Sequence, residues 1–337
     1  MTSEQFLSSL PFLQARLLQP DSALELAIEK AGNTNQWFTS EFTRHALHSI
    51  ATAFLDETKC REWLQSYSIS REDPKKVGII MAGNIPLVGF HDLFCVLASG
   101  HEAIVKLSDK DSVLIKEIVE QWSQSLPVIT DHVQFTERLE GFDAVIATGS
   151  NNSSRYFEYY FKKYPHILRR NRNGVAVLTG NESADDLKRL AEDIFLYFGL
   201  GCRNVSYMLV PDGYNFKLWD EAMSAYKALE HHNKYKNNLE YNFAIYIINQ
   251  IPHMQLGHLI LKEDPAIASR IGSLHYQYYN DAHGLSDLLD SRKDEIQCVV
   301  SKDPVNEWEH ISFGASQKPA LHQYADGVDT MAFLTSL

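Results

Sequence analysis

Of the four cysteines in this chain, Cys60, Cys95, Cys202 and Cys298, one stands where a thiol can do chemistry. Cys202 lies in the run Gly199-Leu200-Gly201-Cys202-Arg203-Asn204, between a helical stretch and an apolar strand-like stretch. A tight helix-to-strand turn projects a side chain off the edge of a sheet and leaves backbone N–H groups beside it. A thiolate nucleophile needs that setting together with a lowered pKa. A small residue that merely fills a turn has the same sequence appearance. Cys95 falls in an apolar helical run, Cys298 in an apolar strand run and Cys60 among N-terminal helices. In such places a thiol behaves as a small hydrophobe.

Three further clusters follow apolar runs. Asn84 comes directly after Gly83 and before Ile85-Pro86. A polar amide at the carboxyl end of a parallel strand is where open α/β sheets bind ligands, although Gly-Asn pairs also make ordinary turns. Lys106 ends the run Ala103-Ile104-Val105-Lys106-Leu107, and Asp109 follows three residues later. A lysine there could reach ribose hydroxyls or phosphate oxygens, or simply be solvated. Thr148-Gly149-Ser150 ends another apolar run and precedes a helix, whose first amides can bind an anion. The stretch from Lys162 to Arg172 gathers Lys162, Lys163, His166, Arg169, Arg170 and Arg172. It suits a phosphate of a nucleotide or coenzyme A equally with a solvated strand edge or a salt-bridged domain seam. No HExxH or DxDxDG pattern occurs, so no metal is expected.

The elements that must carry these residues alternate. Residues 1–75 show helical spacing, as in Phe6, Leu10, Leu13 and Leu17, until Pro74 stops the pattern. Strands are predicted at 77–82, 103–107 and 142–148, with helices at 88–99, 112–126 and 153–164 between or after them. A second alternation places strands at 175–178, 205–210 and 296–300 and helices at 184–198 and 216–229; between 230 and 295 the pattern weakens. Strands alternating with helices imply parallel βαβ units and an α/β, doubly wound fold. The polar, basic stretch Arg169–Gly174 is the natural boundary between two such blocks.

Bulk properties narrow the classes. In 337 residues, 31 Lys and Arg against 43 Asp and Glu leave a formal charge of −12, which argues against a general nucleic-acid binder. With 45% hydrophobic and 22% charged residues the chain is expected to be globular. No apolar run spans a bilayer, the N-terminal residues lack the basic start of a signal peptide, and widely spaced cysteines fit a reducing compartment. A cytoplasmic location is therefore expected.

Taken in order, the segments resemble the aldehyde dehydrogenase superfamily, and within it the acyl-CoA reductase family that includes the reductase subunit of bacterial bioluminescence. Gly83-Asn84-Ile85-Pro86 is similar to that superfamily's WNFP, and Leu97-Ala98-Ser99-Gly100-His101-Glu102-Ala103-Ile104-Val105-Lys106 to its LAAGN-xVVxKP. Thr148-Gly149-Ser150 matches TGS, and Gly201-Cys202 with Arg203-Asn204 is similar to GQxC. Asp294-Glu295-Ile296 resembles EEIFGP, and Ser312-Phe313-Gly314-Ala315 resembles PFGG. The matches run from Val77 to about Leu334.

The resemblance implies an aldehyde-dehydrogenase-like fold of two doubly wound parallel-sheet domains: a helical segment over 1–75, a dinucleotide-binding domain over 76–173, a catalytic thiol domain over 174–311 and a C-terminal segment over 312–337. It implies Cys202 as nucleophile, and Asn84 with the Cys202 backbone N–H as oxyanion donors. It puts Lys106 on the adenosine ribose or its 2′-phosphate, Gly149 and Ser150 near the pyrophosphate, and Glu295 on the nicotinamide ribose. NADPH is the implied cofactor. Asp109, suited to a free 2′-hydroxyl, keeps NADH open. Where hydrolytic members carry a Glu base in ELGGKSP, this chain has Arg170-Asn171-Arg172-Asn173-Gly174-Val175-Ala176, without a carboxylate. Water activation is needed only to hydrolyse a thioacyl enzyme, so its lack favours reduction of a fatty acyl thioester, from acyl-CoA or an acylated partner such as an acyl-protein synthetase, to the aldehyde. An oxidative aldehyde dehydrogenase and a non-catalytic acyl-carrier subunit are the alternatives. The chain is shorter than full-length members, so the hairpin used for homo-oligomer formation is expected to be trimmed or missing.

Overall fold

Four helices open the chain, each started by a side chain that accepts from its first-turn amides. Thr2 caps α1 (Ser3–Leu18), Asp21 caps α2 (Ser22–Thr34), Thr39 caps α3 (Ser40–Phe54) and Asp56 caps α4 (Glu57–Leu64). Phe6, Leu10, Leu13 and Leu17, spaced three and four apart, share one buried face of α1. The computed structural model describes residues 1–337 other than Arg71, Ser150 and Asn306. The chain divides into two compact units, Met1–Asn171 with Lys318–Leu337, and Arg172–Gln317.

In the first unit, β1 (Lys76–Ile80), β2 (Glu102–Lys106), β3 (Val133–Phe135), β4 (Ala144–Thr148) and β5 (His166–Arg169) form a sheet in the order β3-β2-β1-β4-β5. Every pairing is parallel. α5 (Phe90–Ala98) joins β1 to β2, α6 (Leu114–Ser123) and the single turn α7 (Ile129–His132) join β2 to β3, and α8 (Asn151–Phe161) joins β4 to β5. Residues 136–143, between β3 and β4, form a strap instead of a helix. Leu139 of this strap lies on Gly78, where a Cβ would come within 2.6 Å of Leu139 Cδ2, so only glycine lets the strap close on β1. The N-terminal helices dock through Phe6, whose ring centroid is 5.2 Å from Phe94 and 5.6 Å from Trp122. Trp122 Nε1 donates to Ser9 Oγ at 2.7 Å.

The second unit runs β6 (Asn173–Val177), α9 (Ala184–Phe195), β7 (Val205–Pro211), α10 (Trp219–Met223), α11 (Asn233–Ile248), β8 (Met254–Leu256), β9 (Leu259–Glu263), β10 (Ser273–Tyr279), α12 (Ala282–Asp290) and β11 (Ile296–Ser301). Its sheet order is β11-β6-β7-β10-β9-β8, parallel except for β8, which runs antiparallel to β9. The expected helix at 216–229 is instead α10 between two 3-10 stretches, Phe216–Leu218 and Ser224–His231. The weakly patterned stretch 230–295 holds α11, α12 and three strands.

The chain then returns to the first unit. Its last helix, α13 (Thr330–Thr335), sits beside α5, and His101 Nε2 is 2.9 Å from the Leu334 carbonyl oxygen. Arg169, part of the basic stretch, points inward here. It pairs with Asp92 at 2.6 Å and donates to Thr330 Oγ1 and to the Ala325 carbonyl. Arg170 pairs with Glu158 on the surface. These arginines are thus engaged in ion pairs, one of them buried. Both units are α/β with mainly parallel sheets, as the alternation of strands and helices predicts.

Candidate active site

In the first unit the sequence candidates gather at one end of the sheet. β1 continues to β2 on one side and neighbours β4 on the other, so the strand order reverses between β1 and β4. Doubly wound sheets bind ligands outside the carboxyl ends of the strands at such a reversal. Asn84 lies just past β1 and is half-buried. Lys106 is the last residue of β2, and its Nζ donates to the Glu137 carbonyl at 2.7 Å. Asp109 is exposed in the turn that follows. Gly149 follows β4, and a Cβ there would stand 2.8 Å from Phe157 Cε2 and 2.9 Å from Ser153 Cβ, so this turn lies directly on α8. Ser150 lies outside the described residues.

The loops after β1 and β2 touch one another. A Cβ on Gly83 would meet Ser108 Oγ at 2.6 Å and the Asp111 nitrogen at 3.1 Å. The Leu87 amide donates to Asp111 Oδ2 at 2.7 Å. Burial pushes the Asp111 carboxyl up to about 6, against the opposing pull of the Leu87 and Leu114 amides. Neither spacing nor a motif singles out Asp111 in the sequence.

In the second unit Cys202 sits at the amino end of β7. The helix predicted to reach residue 198 stops at Phe195, because Tyr197, Phe198 and Gly199 take left-handed backbone conformations with φ of 54°, 58° and 73°. Two of these are not glycine, and such conformations persist only where neighbouring contacts impose them. Asn204 supplies such contacts. Its Oδ1 accepts from the Gly201 amide at 2.8 Å, and its Nδ2 donates to the carbonyls of Asp193 and Leu196 at 2.9 and 2.8 Å. The buried amide therefore ties the Cys202 turn to the end of α9.

A second anchor holds the segment 312–316. Asp193 accepts from the amides of Gly314 and Ser316 at 2.7 and 3.0 Å, and Arg203 Nε donates to the Ser316 carbonyl at 2.6 Å. Burial raises Asp193 to about 6 in spite of those amides. Glu295 is exposed in the 3-10 turn Lys293–Glu295 that leads into β11. β7 and β11 both pair with β6 in parallel, so Cys202 and Glu295 share the amino-terminal edge of this sheet.

The four thiols differ in environment. Cys60, Cys95 and Cys298 are buried, and burial raises Cys60 to about 12, Cys298 to about 11 and Cys95 well above the ordinary range. Cys202 is half-buried. Among the described residues no cluster of His, Cys, Asp or Glu could hold a metal ion, and no helix is long and apolar enough to cross a membrane.

No family model and no curated protein matches this sequence. Solved structures do match its fold. Aldehyde dehydrogenase 21 from Physcomitrella patens, in complex with succinate, shares 11% identity at TM-score 0.68, with 100% of this chain and 84% of that one covered. An NADP dependent enzyme from E. coli shares 10% identity at TM-score 0.69, covering 93% of this chain and 78% of its own. An NAD-dependent aldehyde dehydrogenase from Sinorhizobium meliloti shares 12% identity at TM-score 0.66, covering 89% and 69%. The chain has the fold of the aldehyde dehydrogenases.

Proposed function

We propose that this chain is an NAD(P)H-dependent reductase of fatty acyl thioesters, taking the acyl group from CoA or from an acylated partner protein and releasing the aldehyde. The observation that carries the reading is the Cys202 turn, a half-buried thiol on a backbone held by Asn204. The stretch 170–176, without a carboxylate to activate water, favours reduction over hydrolysis of the thioacyl group.

In this reading the Cys202 thiolate attacks the thioester carbonyl. A C–S bond to the enzyme forms, the bond to CoA or the carrier breaks, and the departing sulfur leaves as a thiolate. The Asn84 amide and the Cys202 backbone N–H stabilise the oxyanion. The first unit offers donors that suit a dinucleotide: an ammonium (Lys106) and a carboxylate (Asp109) at the end of β2 and, on the other side of β1, a glycine turn after β4 that opens an 11-residue helix. Gly149, Ser150 and Glu295 complete the proposed cofactor contacts. Lys106 favours the 2′-phosphate of NADPH, and Asp109 the free ribose of NADH. When bound, the nicotinamide supplies a hydride. The reduced acyl carbon then carries an alkoxide on a thiohemiacetal, whose collapse expels the Cys202 thiolate and frees the aldehyde.

Intact-mass measurement with hexadecanoyl-CoA tests this. One acyl group should add to the wild-type protein, disappear on adding NADPH with release of aldehyde, and never appear in Cys202→Ala. Unchanged NADPH oxidation by Cys202→Ala overturns the proposal. The fold match to aldehyde dehydrogenases favours a second reading, oxidation of aldehydes. Steady NAD⁺ reduction with an aldehyde in the absence of CoA is its signature.

A further inference from the structure

The loop between β1 and α5 contains a residue in a conformation its type disfavours. Leu87 has a φ of 62°, and its side chain is buried. Left-handed backbone is disfavoured for an L-residue, whose Cβ crowds the following carbonyl. Pro86 just before it has no amide to donate, so the Leu87 N–H is the first available to fix this bend. That N–H goes to Asp111 Oδ2 at 2.7 Å, and the Leu114 amide, at the start of α6, also bonds this carboxyl. Asp111 is only 5% exposed, and its Oδ1 has no partner among the described residues. A buried carboxylate that is half satisfied is costly, and hydrophobic packing would be the cheaper choice for a purely structural position. The same region sets the other end of the loop, because Gly83 lies within van der Waals distance of Ser108 and the Asp111 amide. Asn84 falls between these two fixed points.

We propose that Asp111 is a positioning residue: by holding the Leu87 amide in its left-handed bend it orients the Asn84 side chain, and it locks the loop after β1 to the loop that follows Lys106 and carries Asp109. The consequence for catalysis rests on the role assigned to Asn84 above. Asp111 touches neither the acyl group nor the cofactor. Its loss should therefore slow the chemical step and leave binding of the acyl donor unchanged.

The test compares wild type, Asp111→Ala and Asp111→Asn with hexadecanoyl-CoA and NADPH. The alanine variant should lose about 10²-fold in kcat, the cost of a misplaced oxyanion donor, with KM for the acyl donor changed less than about threefold. Asparagine retains an acceptor for the Leu87 amide and should restore most of kcat. Should the alanine variant fail to fold, Asp111→Ser, whose hydroxyl falls short of that amide, makes the same comparison. Hydrogen exchange of the Leu87 amide supplies a readout independent of activity: protection is lost in the alanine or serine variant and kept in the asparagine variant. Wild-type levels of kcat in the alanine or serine variant overturn the proposal, as does unchanged protection at Leu87. A wild-type protein that reduces no acyl thioester refutes the proposed function instead, and the exchange result then decides the Asp111–loop coupling alone.

Discussion

At the residue scale, the Cys202 turn depends on polar groups buried around it. Tyr197, Phe198 and Gly199 reverse the chain in three consecutive left-handed steps, and Asn204 accepts and donates to hold the reversal. Asp193, 1% exposed, accepts from two amides to hold the segment 314–316. Its position gives a pH prediction. Burial raises this carboxyl from 3.8 to about 6, so the folded state holds the proton more tightly than the unfolded chain. The stabilisation from that proton is complete below pH 3.8 and is lost as pH rises through about 6. Between pH 4 and 7 the wild type should lose about 2 kcal/mol of unfolding free energy relative to Asp193→Asn. Urea titrations of both proteins at several pH values check this, and a pH-independent difference contradicts it. The turn that carries Cys202 was legible in the sequence, because glycines just before it, between a helical run and an apolar strand run, are a local signal. Asp193 and Asp111 were not, because a buried carboxylate is defined by remote amides that no local spacing reveals.

At the scale of elements, the strands that the sequence shows clearly are those buried on both faces. β1, β2, β4, β6, β7 and β11 are runs of apolar residues, as parallel strands between helices must be. β5 has only Ile167 and Leu168 between His166 and Arg169, and β10 mixes Ser273, His275 and Gln277 with tyrosines. β10 is still central, because His275 is buried with its Nδ1 2.7 Å from the Ala266 carbonyl oxygen. Tertiary hydrogen bonds thus admit residues that the apolar pattern excludes. The Gly149 turn gives the prediction at this scale. In Gly149→Ala the new Cβ would press on Phe157 and Ser153, costing about 1–3 kcal/mol and tilting the start of α8. Thermal unfolding should show the loss, and NADPH should bind more weakly in a fluorescence titration. Adding Phe157→Leu should recover part of both. A single variant that matches wild type in both measurements would show that the turn is not under this constraint.

At the scale of the whole molecule, the first unit is closed by residues from the far end of the sequence. Arg169, its side chain 4% exposed, binds Asp92 from α5, Thr330 from α13 and the Ala325 carbonyl. Tyr324 accepts from Trp63 Nε1 at 2.9 Å and lies 2.8 Å from the Tyr67 hydroxyl. Removing one partner of a buried ion pair leaves the other uncompensated, so Asp92→Ala should cost about 3–5 kcal/mol. Residues 318–337 should then be cut faster in limited proteolysis, and an unchanged cleavage rate there would show that the pair does not hold the C-terminal segment. By itself the sequence determined the α/β class, the helical start and most of the buried strands. Each of these is written in local spacing and composition. Only the tertiary structure decided that residues 318–337 complete the first unit, that Arg169 is an internal anchor, and that Asp111 and Asp193 hold the candidate loops. Those outcomes depend on which distant amides and charges a side chain meets once water is excluded, and contacts over such sequence separations leave no periodicity to read.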